Sequence, residues 1–236
     1  MQYTHRLEQL AEKLAIRWKN LIMTKVLGQD IDGVSESIFF AVFIGNMYKK
    51  NQRWYHNLFH LEQMLKEFDA VRDKLKQPEC VEFAIFLHDI IYVIGRKDNE
   101  TASGRIAEAI LLRMGANVLK IYRVLRLITV ATKHPKSPKV RLTSDEKYMS
   151  DLDLYGFSLS YDAVLGQSCD VRREFSEFSD EEFRKGQGNF LSQMLTRRIY
   201  LTDHFSQYEL AARENIRRVL QNMDQVVCAR PTDKRS

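Results

Sequence analysis

His88 and Asp89 sit side by side in Phe83-Ala-Ile-Phe-Leu-His-Asp-Ile-Ile-Tyr-Val-Ile94, a stretch that otherwise reads as buried apolar helix. An ionised carboxylate in such surroundings costs several kcal/mol, or takes up a proton, unless something neutralises it. A bound cation does so, because it accepts both an imidazole nitrogen and a carboxylate oxygen. The competing reading is a core histidine beside a salt-bridged aspartate. Other residues tip the balance towards the cation. His60, His134 and the Asp151/Asp153 doublet each fall at or near a segment that also presents apolar core residues. Histidines with carboxylates form a mixed nitrogen and oxygen donor set, suited to Mn, Fe, Zn, Co or Ni, and spacing alone does not choose among them.

The elements that must carry these groups read as helices. Leu7, Leu10, Leu14, Trp18 and Leu21 form one apolar stripe. A second helix is expected over about 34–48, rich in Ile38, Phe39, Phe40, Phe43 and Met47, and its apolar surface offers a dimer face. Asn57 suits the N-cap of a helix bearing His60, Leu61, Met64, Leu65 and Phe68. Pro78 suits the first turn of the helix holding the His-Asp pair, and Gly95 its end. Asn99 is the candidate cap of the next helix, which Gly115 closes, and a further helix runs from about 117 to 133. Ser144-Asp-Glu-Lys restarts the helix that leads into Asp151 and Asp153. Ser160 and Ser179 cap later helices, and two more are expected over about 189–203 and 205–222. No sustained alternation marks a strand. The expectation is an all-α, single-domain helical bundle of roughly ten helices over residues 1–222, with a basic, flexible tail at 223–236.

Bulk properties narrow the function. The 236 residues suffice for one sizeable core. A net charge of +5 suits an anionic ligand, but the positive residues are spread along the chain, with no basic stripe or recognised module for nucleic acid. Cys80, Cys169 and Cys228 are widely spaced and odd in number, which predicts reduced thiols in a cytoplasmic protein. The amino-terminal residues lack the apolar core of a signal peptide, and no apolar run reaches membrane-spanning length.

The order His60 … His88-Asp89 … Asp153 resembles the H…HD…D signature of the HD superfamily of metal-dependent phosphohydrolases. It is more narrowly similar to a branch of predicted HD phosphohydrolases. Tyr55-His-Asn-Leu-Phe-His60, Phe86-Leu-His-Asp-Ile-Ile-Tyr92, Asp98-Asn-Glu-Thr-Ala-Ser103, Ala131-Thr-Lys-His134 and Asp151-Leu-Asp-Leu154 carry the likeness. Val171-Arg-Arg-Glu-Phe175, Ile199-Tyr-Leu-Thr202 and Glu209-Leu-Ala-Ala-Arg-Glu-Asn215 extend it towards residue 220.

The resemblance implies an HD-type fold in which His60, His88, Asp89 and Asp153 ligate one divalent ion, whether Mn, Fe, Zn, Co, Ni or Mg. Asp151 is the rival for the last position. His134 and His56 stand as residues of a second site or of the surrounding shell. The implied reaction is hydrolysis of a small anionic phosphoester, for instance a nucleotide, by a metal-activated water. Asp89 would both ligate and steer that water, Glu100 would act as base or orienter, and Lys133 would neutralise phosphate charge. One departure stands out. The family pattern often runs His-Asp-x-x-Tyr-Asp-Pro, whereas Tyr92 is followed here by Val93 and Ile94, so a carboxylate is missing. The alternatives are a metal- or nucleotide-binding regulatory protein without turnover, and an HD-type di-iron oxygenase in which His134 is an essential ligand.

Overall fold

Every regular element among the described residues is helical. The computed structural model describes residues 2–22, 39, 43–50, 52–133 and 140–227. Their α-helices are α1 (Gln2–Leu21), α2 (Gly45–Tyr48), α3 (Leu58–Val71), α4 (Pro78–Leu87), α5 (Asn99–Arg113) and α6 (Val118–Arg126). These are followed by α7 (Ser144–Leu154), α8 (Tyr161–Glu174), α9 (Asp180–Leu195), α10 (Asp203–Ser206), α11 (Glu209–Gln221) and α12 (Met223–Val227). The all-α expectation is met, with α2, α10 and α12 no more than five residues long. Of the expected helix over 34–48, residues 34–38 and 40–42 lie outside the described residues; of its apolar face, Phe39, Phe43 and Met47 are half-buried and Ile44 is buried.

The contacts divide the chain into two compact units, Met1–Lys50 with His56–Leu152, and Asn51–Tyr55 with Asp153–Ser236. The boundary falls within α7, between Leu152 and Asp153.

In the first unit, Trp18 of α1 is fully buried, its ring 5.2 Å from Phe83 and 5.4 Å from Phe86 of α4. Leu10, Leu14 and Leu21 of the predicted stripe are buried with it, Leu7 only partly so, and α3 answers with Leu61, Met64, Leu65 and Phe68. One carboxylate crosses this apolar contact. Glu82 of α4 is buried and takes Arg17 at 2.6 Å and Arg72 at 3.0 Å, while Arg17 also grips Asp69 at 2.8 and 2.6 Å. Two guanidinium groups thus neutralise a charge that burial would otherwise penalise.

Two helix boundaries differ from the sequence expectation, each for a physical reason. α4 stops at Leu87, well before Gly95, so the His-Asp pair ends the helix rather than lying within it. The His88 ring takes the Ile85 carbonyl through Nδ1 at 2.9 Å, capturing an acceptor that the next helical N–H would have used. Gly95 instead serves the following loop, where its φ of 79° is left-handed and favours glycine. At α5 the N-cap position belongs to Asp98, because the Asn99 amide is engaged with the backbone of Val93. The other end is as expected. Ala116 N–H reaches Leu111 O and Gly115 N–H reaches Leu112 O, both at 3.0 Å, in a Schellman closure with Gly115 at φ 68°.

α6 begins where the helix was expected, and Asn117 caps it, its side chain accepting from Lys120 N–H at 3.0 Å. It then widens into a π-helical turn over Leu127–Ala131, a form that often marks functional sites. Gly104 of α5 allows close approach there, since a Cβ at that position would meet Thr129 Cγ2 at 2.8 Å.

α7 restarts at Ser144 as expected, and Thr143 just ahead of it is the cap. Its Oγ1 accepts from Glu146 N–H at 3.3 Å, and the Glu146 carboxylate accepts from Thr143 N–H at 2.9 Å. Arg126 also donates to Glu146, at 2.9 Å through Nη2. Burial alone would raise the Glu146 carboxyl, but the Arg126 and Thr143 hydrogen bonds outweigh it and hold the group below its ordinary value. A depressed folded value means the carboxylate stabilises the fold above the ordinary carboxyl value of 4.5, and that contribution is lost as pH falls through the folded value. Glu146→Gln is therefore expected to lower the thermal midpoint near neutrality and to flatten its decline on acidification. Melts between about pH 7 and pH 3 check both; a variant whose curve parallels the wild type would contradict the assignment.

The second unit is built around a buried guanidinium. Arg172 of α8 is fully buried and donates to Phe175 O at 2.7 Å, Phe178 O at 3.1 Å and Asp180 at 2.7 Å. Glu174 accepts from Tyr55 N–H at 2.8 Å, and Arg173 lies 5.0 Å over the Trp54 ring. The Ser179–Glu182 capping box starts α9, which continues unbroken to Leu195, so the expected helix start near 189 moves back to Asp180. Helical packing also runs past the expected body end at 222, because Met223, Val226 and Val227 of α12 are buried.

Among the described residues no helix is long and apolar enough to cross a membrane. Cys80 and Cys169 are free thiols, and burial pushes the Cys80 thiol up to about 11, which makes it a poor nucleophile. Cys228 lies outside the described residues.

Candidate metal centre

Three helix ends supply the site. Asn57 caps α3, its side chain accepting from Phe59 N–H at 2.8 Å, and so fixes the first turn that bears the buried His60. α4 delivers His88 at its C-terminal end, with the side chain 1% exposed. Asp153 lies in the last turn of α7, one residue beyond the unit boundary but on the same continuous helix as Leu152. One potential ligand atom from each of His60, His88 and Asp153 lies within 4.8 Å of the others. Among the described residues this is the one such group of His, Cys, Asp or Glu side chains.

The first turn of α4 is tied to that of α7. Asp145 of α7 accepts from Lys76 and Gln77 N–H, both at 2.9 Å, just ahead of Pro78. Each helix is thereby anchored near its start and presents its candidate ligand near its finish.

The donor chemistry fits a metal ion. The Ile85 carbonyl only accepts, so His88 Nδ1 carries a proton and Nε2 is the nitrogen that can take a second proton or a metal ion. Asp89 Oδ2 stands 3.2 Å from that same Nε2, so a proton or a cation held there is shared with the carboxylate. Asp89 is not one of the three grouped residues, but this contact puts it at the edge of the group. Asp151, the rival for the last ligand, is fully buried and outside the group, whereas Asp153 is half-buried and within it.

The structure places the remaining candidates as follows. The His56 ring stacks on Tyr92, centroids 3.9 Å apart and planes at 25°, and lies 6.0 Å from the His60 ring. His60 and His88 rings are 5.4 Å apart. His56 thus neighbours the group without joining it. Glu100, in the first turn of α5, meets Lys133 just past the π turn, with 4.0 Å between carboxylate and ammonium. Arg53, another cation of the chain, is buried. His134 lies outside the described residues.

Sequence reasoning missed the brace behind this group. Asn99 and Ser103 bind the backbone of Val93 and Ile91, and the one available signal was their four-residue spacing, which puts two small polar side chains on one helix face.

No family model, no curated protein and no solved structure matches the chain.

Proposed function

We propose that the chain is an HD-type, metal-dependent phosphohydrolase acting on a small anionic phosphoester such as a nucleotide. The convergence of His60, His88 and Asp153 from three helix ends carries this reading. His60, His88 and Asp153 would hold the ion, with Asp89 as the further oxygen donor. Two imidazoles beside carboxylates favour Mn, Fe, Zn, Co or Ni over Mg, which prefers oxygen. A bound ion of this kind supplies Lewis-acid polarisation of a phosphoryl oxygen and lowers the pKa of bound water.

The chain's own groups divide the remaining work. Asp89 accepts a hydrogen bond from the attacking water and so directs it. Lys133 offers its ammonium to the phosphate. Glu100, partnered with Lys133 in the absence of substrate, is left to accept a proton when the phosphate takes over the lysine. The free thiols of Cys80 and Cys169 fit a reducing cytoplasm.

A second reading, metal binding without turnover, draws on Val93, which is 51% exposed where the family pattern has a carboxylate. The chain stripped of metal and resupplied separately with Mn, Fe, Zn, Co, Ni or Mg distinguishes the two. Phosphate release from p-nitrophenyl phosphate and from nucleotides is expected with at least one ion, lost in His88→Ala and weakened in Lys133→Ala chiefly through KM. Metal binding with no release from any substrate favours the second reading. Oxygen consumption by the iron form would point instead to the oxygenase.

A further inference from the structure

The segment after His88-Asp89 leaves the helical path, and two side chains of α5 bond its backbone. Ile91 N–H donates to Ser103 Oγ at 3.1 Å, and the Ser103 hydroxyl donates back to Ile91 O at 3.1 Å. Two residues on, Val93 N–H donates to Asn99 Oδ1 at 3.0 Å, and Asn99 Nδ2 donates to Val93 O at 3.0 Å. The backbone of Ile91 and Val93, outside any regular element, is thus pinned at both its N–H and C=O groups to α5. Asn99 and Ser103 are four residues apart on one face of that helix, the spacing such pinning requires. Ser103 is fully buried, which makes its paired bonds costly to break.

The residue between the two anchored positions is Tyr92. Its ring stacks on His56 at 3.9 Å, and from there the rings run to His60 at 6.0 Å and to His88 at 5.4 Å. The same pinning fixes the exit direction of the chain immediately after Asp89.

We propose that Asn99 and Ser103 are positioning residues of the metal centre, which orient Asp89 and the Tyr92–His56 brace through the backbone of Ile91 and Val93. The inference rests on reading His60, His88 and Asp153 as metal ligands. Loss of an outer partner of this kind typically costs about 10–100-fold in metal affinity.

Co(II) titration of the metal-stripped full chain tests it, reading both the dissociation constant and the visible d–d spectrum. Ser103→Ala is expected to weaken Co(II) about 10–100-fold and to alter the spectrum. Asn99→Asp keeps the acceptor for Val93 N–H but loses the donor to Val93 O, so a smaller change is expected. Leu191→Ala, a core truncation in the second unit, serves as the control for general destabilisation and is expected to bind Co(II) as the wild type does. If Ser103→Ala keeps the wild-type constant and spectrum while His88→Ala loses both, the positioning role is wrong and the metal reading stands. Equal weakening by Leu191→Ala would likewise overturn the positioning role. If the wild type takes up no Co(II), or His88→Ala binds as tightly as the wild type, the metal reading falls and the inference with it.

Discussion

Asp153→Asn is expected to weaken metal binding by more than the roughly 100-fold that bounds the loss of a supporting partner, and Asp151→Asn to leave it within a few-fold of wild type. The two carboxylates are two residues apart on α7, yet only Asp153 lies with His60 and His88, its donor atom within 4.8 Å of theirs. Asp151 is fully buried and outside that group. Its substitution should therefore register in stability rather than in affinity. Competition titration of Zn(II) or Co(II) against a chelator reads the affinities, and thermal melts without metal read the stabilities. Free ion at about 100 times the dissociation constant adds about 2.7 kcal/mol to the wild type by mass action, and Asp153→Asn should forfeit most of that gain. The reverse ranking, with Asp151→Asn losing the metal, would move the third ligand to Asp151.

The largest loss of stability is expected at Arg172. Its guanidinium is fully buried and satisfies the carbonyls of Phe175 and Phe178 together with the Asp180 carboxylate. Its carbon lies 5.0 Å over the Phe183 ring, so truncation removes packing as well as charge. Arg172→Ala leaves these acceptors unsatisfied or dependent on water in a hole where the side chain stood. The expected cost is on the order of 3–5 kcal/mol. Arg172→Lys keeps the charge but not the fork, so it should recover only part of that loss. Urea unfolding at neutral pH measures both variants. A change below about 1 kcal/mol for the alanine variant would show that water or a neighbour replaces the guanidinium, and that Arg172 does not hold α8 to the start of α9.

Much of the helical framework could be read from the sequence because its signals are local. Asn57, Asn117 and the Ser179–Glu182 pair act through bonds spanning three residues or fewer, and each caps the helix expected of it. The stripe from Leu10 to Leu21 and the closure at Gly115 rest on equally local periodicity and backbone preference. What misled the reading was long-range competition for backbone groups. An apolar run through Ile94 reads as helix, but Asn99 and Ser103 bind the Val93 and Ile91 backbone and hold that stretch out of the helix. Asn99 looked like a cap because its type suits one, whereas its partner lies six residues upstream.

The candidate site was legible in part for a similar reason. Residue types and order singled out His60, His88 and Asp89, and the resemblance added Asp153 ahead of Asp151, but nothing local said that Asp89 would stand at the edge of the group rather than in it. Nor could the sequence show the stacking of His56 on Tyr92, which depends on the path of the loop. Several C-terminal motif pieces prove to be staples of the second unit. Tyr200 Oη donates to Leu154 O at 3.1 Å, and Asn215 donates to Phe157 O and Leu159 O at 2.9 and 2.8 Å. They secure the backbone that follows Asp153, a role that type and spacing alone do not reveal.

Metal content is the most direct test of the central claim. Elemental analysis of the full chain, purified without added metal or chelator and run beside His88→Ala, reads it in one step. About one divalent ion or more per wild-type chain is expected, with a near-complete loss in the variant. No ion in the wild type, even after incubation with Mn, Fe, Zn, Co, Ni or Mg, would contradict it, and His88 and Asp89 would then be structural residues at the end of α4.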